Sequence, residues 1–198
     1  MGDVRIAIIG AGFGGLGAAI RFREEGIEDF VVLERGQDVG GTWRENTYPG
    51  CACDVPSHLY SFSFAMNPDW SRSFAPQAEI LAYLRGMADR VRDRIRFGAE
   101  VESARWDDDE QRWLVTTPDG SFRAQVLVSA TGPLSETKRP DVPGLDSFEG
   151  TMFHSAEWDH EHDLSGERVA VIGTGASSAQ FIPHVQQRAA QMDVFQRT

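Results

Sequence analysis

An α/β protein of Rossmann-like architecture is predicted by three observations. Residues 4–9 form a continuous apolar run that enters the turn Gly10-Ala11-Gly12-Phe13-Gly14-Gly15. Residues 168–172 enter a second such turn, Gly173-Thr174-Gly175-Ala176-Ser177-Ser178. Between the two lie short strand-like segments separated by turn signals, which predict a small antiparallel meander added to the first unit. The expected organisation is a first dinucleotide-binding domain over residues 1–134, a linker over 135–165, and the first β-α-β unit of a second dinucleotide-binding domain over 166–198.

Each element has a local reason. An uninterrupted apolar strand such as 4–9 fits the centre of a parallel sheet covered on both faces. The helix after the first turn runs to about Glu25, turns Leu16, Ala19 and Ile20 inward, and stops at Gly26. Residues 30–33 are a second buried strand, tipped by Glu34. Residues 36–70 are rich in turn signals (Gly40-Gly41, Pro49-Gly50, Pro56, Asn67-Pro68) and lack periodicity, so a long functional loop is expected. Residues 77–94 read as a helix, with Ile80, Leu81, Leu84, Met87, Ala88 and Val91 at spacings of three and four. Segments 95–97, 101–106, 113–117 and 121–130 read as the meander, the last strand returning to the parallel sheet. Residues 132–150, with Pro133, Pro140 and Pro143, form a linker, and the second β-α-β unit ends at Val194-Phe195-Gln196.

Composition narrows the function. With 198 residues, 41% hydrophobic and 25% charged, the chain is globular in character. Lys plus Arg is 19 against 30 Asp plus Glu, a formal charge of -11. That balance argues against nucleic acid or an anionic membrane as partner. Residues 6–20 are apolar but too short to span a bilayer, and five glycines followed by Arg21, Arg23, Glu24 and Glu25 do not suit a secretory signal. Cys51 and Cys53 cannot build a disulfide framework, so a reducing, cytoplasmic setting is expected.

The glycine turns carry the chemistry. Gly10 permits the tight turn, Gly12 lets the backbone approach a pyrophosphate, Gly14 adds a further small residue, and Gly15 permits close contact of helix and strand. Glu34, 24 residues after Gly10, can accept hydrogen bonds from both ribose hydroxyls of an adenosine and repels a 2′-phosphate, which suits FAD or NAD. In the second turn Ser178 replaces the third glycine. Arg197, 24 residues after Gly173, stands where the first unit has its acid, and a guanidinium there pairs with a 2′-phosphate and selects NADP. One acid-tipped and one arginine-tipped site point to a flavoprotein reduced by NADPH.

Between the two units stands Phe148-Glu149-Gly150-Thr151-Met152-Phe153-His154-Ser155-Ala156-Glu157-Trp158-Asp159. This resembles the Phe-x-Gly-x-x-x-His-x-x-x-Trp-Asp fingerprint of Baeyer–Villiger monooxygenases, a branch of the FAD- and NADPH-dependent flavin monooxygenases. Gly40-Gly41-Thr42-Trp43, Tyr48-Pro49-Gly50, Cys53-Asp54 and Ala130-Thr131-Gly132 agree with it. The resemblance implies that Thr42, Trp43, Tyr60 and Val101 contact FAD, and that Asp54 lies beside flavin and NADP and positions a catalytic arginine. Thr174, Gly175, Ser177, Ser178 and Gln180 would hold the NADP pyrophosphate and ribose, with Arg197 and Thr198 at the 2′-phosphate. His154 would couple NADP position to oxygenation. The implied reaction reduces FAD with NADPH, takes up O₂ and inserts one oxygen beside a ketone carbonyl to give an ester or lactone. The resemblance covers the N-terminal portion of that family. The 198-residue chain alone is therefore expected to lack the rest of both domains and the downstream arginine, and not to complete the reaction.

Other readings stay open at this stage. They are an N- or S-oxidising flavin monooxygenase, or a nucleotide-binding module without turnover. Arg44-Glu45 and Cys51-Ala52 depart from many relatives near the expected active site. No metal site is expected: Cys51 and Cys53 read as buried thiols, and His154, His160 and His162 with Asp159 and Asp163 read as an exposed acidic loop. Phe62, Phe64, Met66, Trp70 and Phe74 read either as core packing or as the lining of a ketone pocket.

Overall fold

The computed structural model describes residues 2–196, so the roles expected of Arg197 and Thr198 lie outside the described residues. The chain divides into two units, Met1–Arg44 with Ile80–Ser135, and Glu45–Glu79 with Glu136–Thr198.

In the first unit, β1 (Gly2–Ile9), α1 (Phe13–Glu24) and β2 (Phe30–Glu34) form the expected β-α-β unit. The chain then makes the single turn α2 (Thr42–Glu45) and the helix α3 (Gln77–Ala88). It continues through β3 (Ile95–Phe97), β4 (Ser103–Asp107), β5 (Arg112–Thr117) and β6 (Gly120–Ser129). The six strands form one sheet in the order β3-β2-β1-β6-β5-β4. All five residues of β2 are buried, as a strand covered on both faces requires. On one face Ala7, Val31, Leu33, Val115 and Ala124 form a buried cluster. On α1, Gly15, Leu16, Ala19 and Ile20 are buried, and Gly15 stands against Ile8.

Three sequence expectations need correction. Residues 95–97 do not belong to the meander: β3 pairs in parallel with β2, Val32 opposite Ile95, at the edge of the sheet. The antiparallel part is β4-β5-β6 alone, and β6 returns to pair in parallel with β1 as anticipated. The strand placed at residue 101 begins at Ser103, because Val101 is spent packing against the buried cluster. Finally, α3 stops at Ala88 rather than near Arg94. Gly86 weakens its last turn, and the Val91 and Arg94 amides donate to the carbonyls of Ala88 and Val91, three residues back. This tightening turns Val91 fully inside.

In the second unit, β7 (Arg168–Ile172), α4 (Ala176–Gln186) and β8 (Gln191–Phe195) form another β-α-β unit with the two strands parallel. Pro183 lies inside α4, where it removes one intrahelical donor. The long loop of 36–70 is mostly irregular, as its turn residues require. Met66 and Phe74 are more than half or half exposed, so the aromatic cluster read as core packing is not a buried core, and Phe62 and Phe64 stack on each other. Among the described residues no helix is long and apolar enough to cross a membrane.

Candidate functional site

The first glycine turn sits where the strand order reverses about β1, at the carboxyl edge of the sheet, the position where open α/β sheets bind ligands. Its glycines are required for different reasons. Gly10 has φ +98°, and a Cβ there would stand 2.6 Å from the Ala130 carbonyl oxygen. A Cβ on Gly15 would stand 1.8 Å from the carbonyl oxygen of Gly10. Gly12 is extended, and among the described residues a Cβ on it would find nothing nearer than the Cα of Gly41, at 3.8 Å. Protein packing therefore forbids a side chain at Gly10 and Gly15, whereas at Gly12 a side chain would fill only the open cradle in front of α1. No side chain caps that helix and no acid lies in its first turn, so its amides and positive dipole end are available to a phosphate. The cradle fits a dinucleotide pyrophosphate.

Glu34 lies at the tip of β2, 4% exposed. One carboxylate oxygen accepts the Ala11 amide at 2.8 Å, and the other accepts the Gly36 amide and Arg44 Nη1, each at 2.8 Å. Arg44 also donates to the Asp38 carbonyl. The sequence drew attention to Arg44 only as a departure from relatives. In the structure it holds the acid in place as an ion pair. Thr42 and Trp43 open α2 immediately after the Gly40-Gly41 pair, and Trp43 is buried. Gly40 must be glycine, with φ +120° and Leu81 where its Cβ would stand.

In the second unit, Gly173 has φ +110° and its amide donates to the Phe195 carbonyl, closing the β-α-β turn. Gly175 precedes α4 in extended conformation with no side-chain cap, and no acid follows in the first turn. Cβ atoms on Gly173 and Gly175 would meet nothing within 4 Å among the described residues. Thr174 is exposed, Ser177 is half-buried and Ser178 is buried. This turn also fits a dinucleotide pyrophosphate.

Asp54 is exposed and follows a segment held by backbone pairing. Cys53 donates to the Ala75 carbonyl, Cys51 accepts from the Gln77 amide, and Ala52 bridges Pro76. Ser57, which no sequence motif singles out, is buried. Its hydroxyl accepts the Ala75 amide at 2.7 Å and donates to the Arg72 carbonyl at 2.8 Å, closing the loop behind Asp54. Burial pushes the Cys51 and Cys53 thiols above their usual range, which makes them poor nucleophiles. Burial likewise pushes Tyr48 up to about 12, against the lowering effect of Ser177. An open groove of about 350 Å³ borders this loop at Tyr48, Cys51, Arg72 and His184. Tyr60 is half-buried beside a 3₁₀ turn, Ser57–Leu59.

The fingerprint segment is ordered around aromatic contacts. Phe153 meets Trp158 at 5.2 Å, and Trp158 meets Phe181 of α4 at 5.3 Å. His154 Nδ1 accepts the Ala156 amide at 3.1 Å, so a neutral ring carries its proton on Nε2.

The profile of pyridine nucleotide-disulphide oxidoreductases matches residues 7–198. The chain belongs to that family. It is also 60% identical over 197 residues to a Baeyer–Villiger monooxygenase of Streptomyces coelicolor, a match covering 98% of this chain and 38% of that protein. Among solved structures it resembles an oxidized steroid monooxygenase bound to NADP (TM-score 0.87, 44% identity, 99% of this chain and 39% of that one). It also resembles OTEMO in complex with FAD and NADP (TM-score 0.90, 39% identity, 98% and 39%). The chain thus spans about two fifths of the length of the relatives it matches, their N-terminal part. The family's name includes disulphide chemistry, yet Cys51 and Cys53 here are buried free thiols one residue apart.

Proposed function

We propose that this chain is the dinucleotide-binding part of an FAD- and NADPH-dependent Baeyer–Villiger monooxygenase, which converts a ketone, O₂, NADPH and a proton into an ester or lactone, water and NADP⁺. The observation that carries this reading is the pair of uncapped glycine turns in one chain, the first leaving at Gly12 a cradle free of side chains and closed by a buried acid. The similarity to a Baeyer–Villiger monooxygenase over 98% of the chain supports the reaction class.

In this reading residues 1–134 hold FAD, 135–165 carry the fingerprint and 166–198 begin the NADP-binding domain. Gly10, Gly12, Gly14 and Gly15 bring α1 to the FAD pyrophosphate. Glu34, oriented by two backbone amides and Arg44, accepts hydrogen bonds from the adenosine ribose. Thr42 and Trp43 border the flavin, Tyr60 and Val101 contact the FAD, and Thr174, Gly175, Ser177 and Ser178 receive the NADP pyrophosphate. Arg197 and Thr198 would meet the 2′-phosphate. FAD, when bound, accepts hydride from NADPH and supports oxygen transfer from O₂; the protein supplies orientation and exclusion of water. Asp54 offers a carboxylate to orient a cationic group beside the flavin. His154, with Nδ1 already engaged, has an Nε2–H to donate toward the nicotinamide half of NADP. The two free, buried thiols suit a reducing, cytoplasmic setting.

The test is an assay of the purified full-length protein with a panel of ketones, amines and sulfides. Yellow flavin-loaded protein that oxidises NADPH in preference to NADH and forms ester or lactone supports the reading. Oxidation of amines or sulfides only, or no flavin after FAD addition, overturns it.

A further inference from the structure

Gln180 lies in the middle of α4, and its side-chain amide is engaged with one segment of chain, residues 48–52. Nε2 donates to the Ala52 carbonyl at 2.9 Å. Oε1 accepts the Tyr48 hydroxyl at 2.9 Å and the Ala52 amide at 3.3 Å. The Ala52 carbonyl can only accept and its N–H can only donate, so both ends of the amide are fixed in orientation. The Gln180 side chain thus pairs with the Ala52 peptide as a neighbouring strand would.

The surroundings are built for this approach. Gly50 has φ +79° and comes so near α4 that a Cβ would stand 2.8 Å from the Gln180 carbonyl oxygen and 2.5 Å from His184 Nε2. The Tyr48 ring packs edge-on against Phe181 at 6.1 Å. On the other side of the same short segment, Cys53 and Cys51 pair with Ala75 and Gln77. Asp54 is the next residue and is exposed.

We propose that Gln180 is a positioning residue for Asp54 and not a ligand of the second dinucleotide. Its amide ties the Ala52 peptide to α4, the helix whose N-terminal turn would receive NADP, and so fixes the Asp54 carboxylate relative to that turn. This rests on the cofactor reading above. It differs from the role the resemblance implied, because the amide that would have faced the pyrophosphate is turned to residues 48–52. A carboxylate that must orient charge beside a reacting nicotinamide gains from being fixed to the same helix that seats the nucleotide.

The test uses the full-length, FAD-loaded protein and the variants Gln180→Ala and Gln180→Glu. In hydrogen exchange without NADP(H), Gln180→Ala is expected to speed exchange of the Ala52 and Cys53 amides about tenfold, the scale of one lost hydrogen bond. In anaerobic flavin reduction by NADPH, its limiting rate is expected to fall about tenfold or more while the NADP⁺ dissociation constant stays within about threefold. Glutamate at this position can accept from Tyr48 and the Ala52 amide but, ionised, cannot donate to the Ala52 carbonyl. Gln180→Glu is therefore expected to be slow at neutral pH and to recover toward wild type as the pH falls and its acid is protonated. A dissociation constant raised about tenfold with an unchanged limiting rate would mark a direct ligand and overturn the proposal. Absence of recovery in Gln180→Glu would mark simple packing and also overturn it. Should Gln180→Ala not fold, the pH profile of Gln180→Glu decides. A wild-type protein that NADPH does not reduce contradicts the cofactor reading itself, and the exchange comparison still reports separately whether the tie exists.

Discussion

The two glycine turns have the same spacing and are not physically alike. In the first, Gly10 and Gly15 are fixed by the protein, with Cβ positions 2.6 Å and 1.8 Å from backbone oxygens, and β2 is buried along its whole length. In the second, Gly173 likewise needs its positive φ, but the third position holds a buried serine, so the helix there admits a side chain that Gly15 could not carry. A glycine in such a turn can be needed for its dihedral angle, for close packing, or for room for a ligand. The first turn separates these needs residue by residue: Gly10 serves the first two, Gly15 the second and Gly12 the third. In the second turn Gly173 keeps the dihedral need, and at the third position Ser178 replaces the close packing that Gly15 serves.

The largest expected effect follows from that contrast. Gly15→Ala should destabilise the protein by about 3 kcal/mol or more, because the helix must move off the strand to admit a methyl group. Ser178→Gly, its counterpart, should cost no more than about 1 kcal/mol. Thermal unfolding of both variants measures the difference, and equal losses would break the comparison.

Next in size is the acid at the tip of β2. Arg44→Ala leaves the buried Glu34 carboxylate with its two amide donors only, and should cost about 1–3 kcal/mol in stability. It should also weaken FAD binding, measured by flavin fluorescence on titration, while leaving NADP⁺ binding unchanged. Equal weakening of both would mean that Arg44 acts on the whole fold and not on the first site.

The smallest effect sharpens the same corner. Burial alone would raise the pKa of Asp38, but hydrogen bonds from Arg85 and the Val39 amide outweigh it and hold the acid below its ordinary value of 3.8. A carboxylate with a lowered folded pKa contributes stability that is fully present above the unfolded value and is lost as the pH falls through the folded one. Arg85→Ala should therefore lower stability slightly at neutral pH and flatten its decline below pH 3.8. Unfolding curves at several acidic pH values check this, and an unchanged decline would contradict it.

Much of the fold was legible because local pattern and tertiary need coincide. The runs that became β1 and β2, the turns at Gly10 and Gly173, and the return of β6 to β1 all follow from apolar periodicity and glycine placement. What was not legible depends on distant partners. The segment 95–97 looks the same whether its neighbour is the next strand or β2, which lies some sixty residues earlier. The helix of 77–94 carries an inward-facing Val91 that suits either a continued helix or a tightened turn. At the site, Glu34 and the glycines were visible from spacing. Arg44, Ser57 and the orientation of Gln180 were not, because each is defined by a hydrogen bond to a backbone atom or acid that sequence distance does not reveal. An arginine two residues after Gly41-Thr42, close to a strand-tip acid, was the one signal that could have suggested the Arg44–Glu34 pair.

Two turns for two different dinucleotides should separate when flavin content and NADP⁺ affinity are measured together in Gly12→Val and Gly175→Val. Both glycines have φ and ψ open to any residue, and a Cβ at either meets no described atom closer than 3.8 Å, so the fold tolerates the change while the cradle fills. The account predicts that Gly12→Val purifies without FAD, whereas Gly175→Val keeps its FAD and loses NADP⁺ affinity about tenfold or more. Loss of the same ligand in both variants, or of neither, would contradict it.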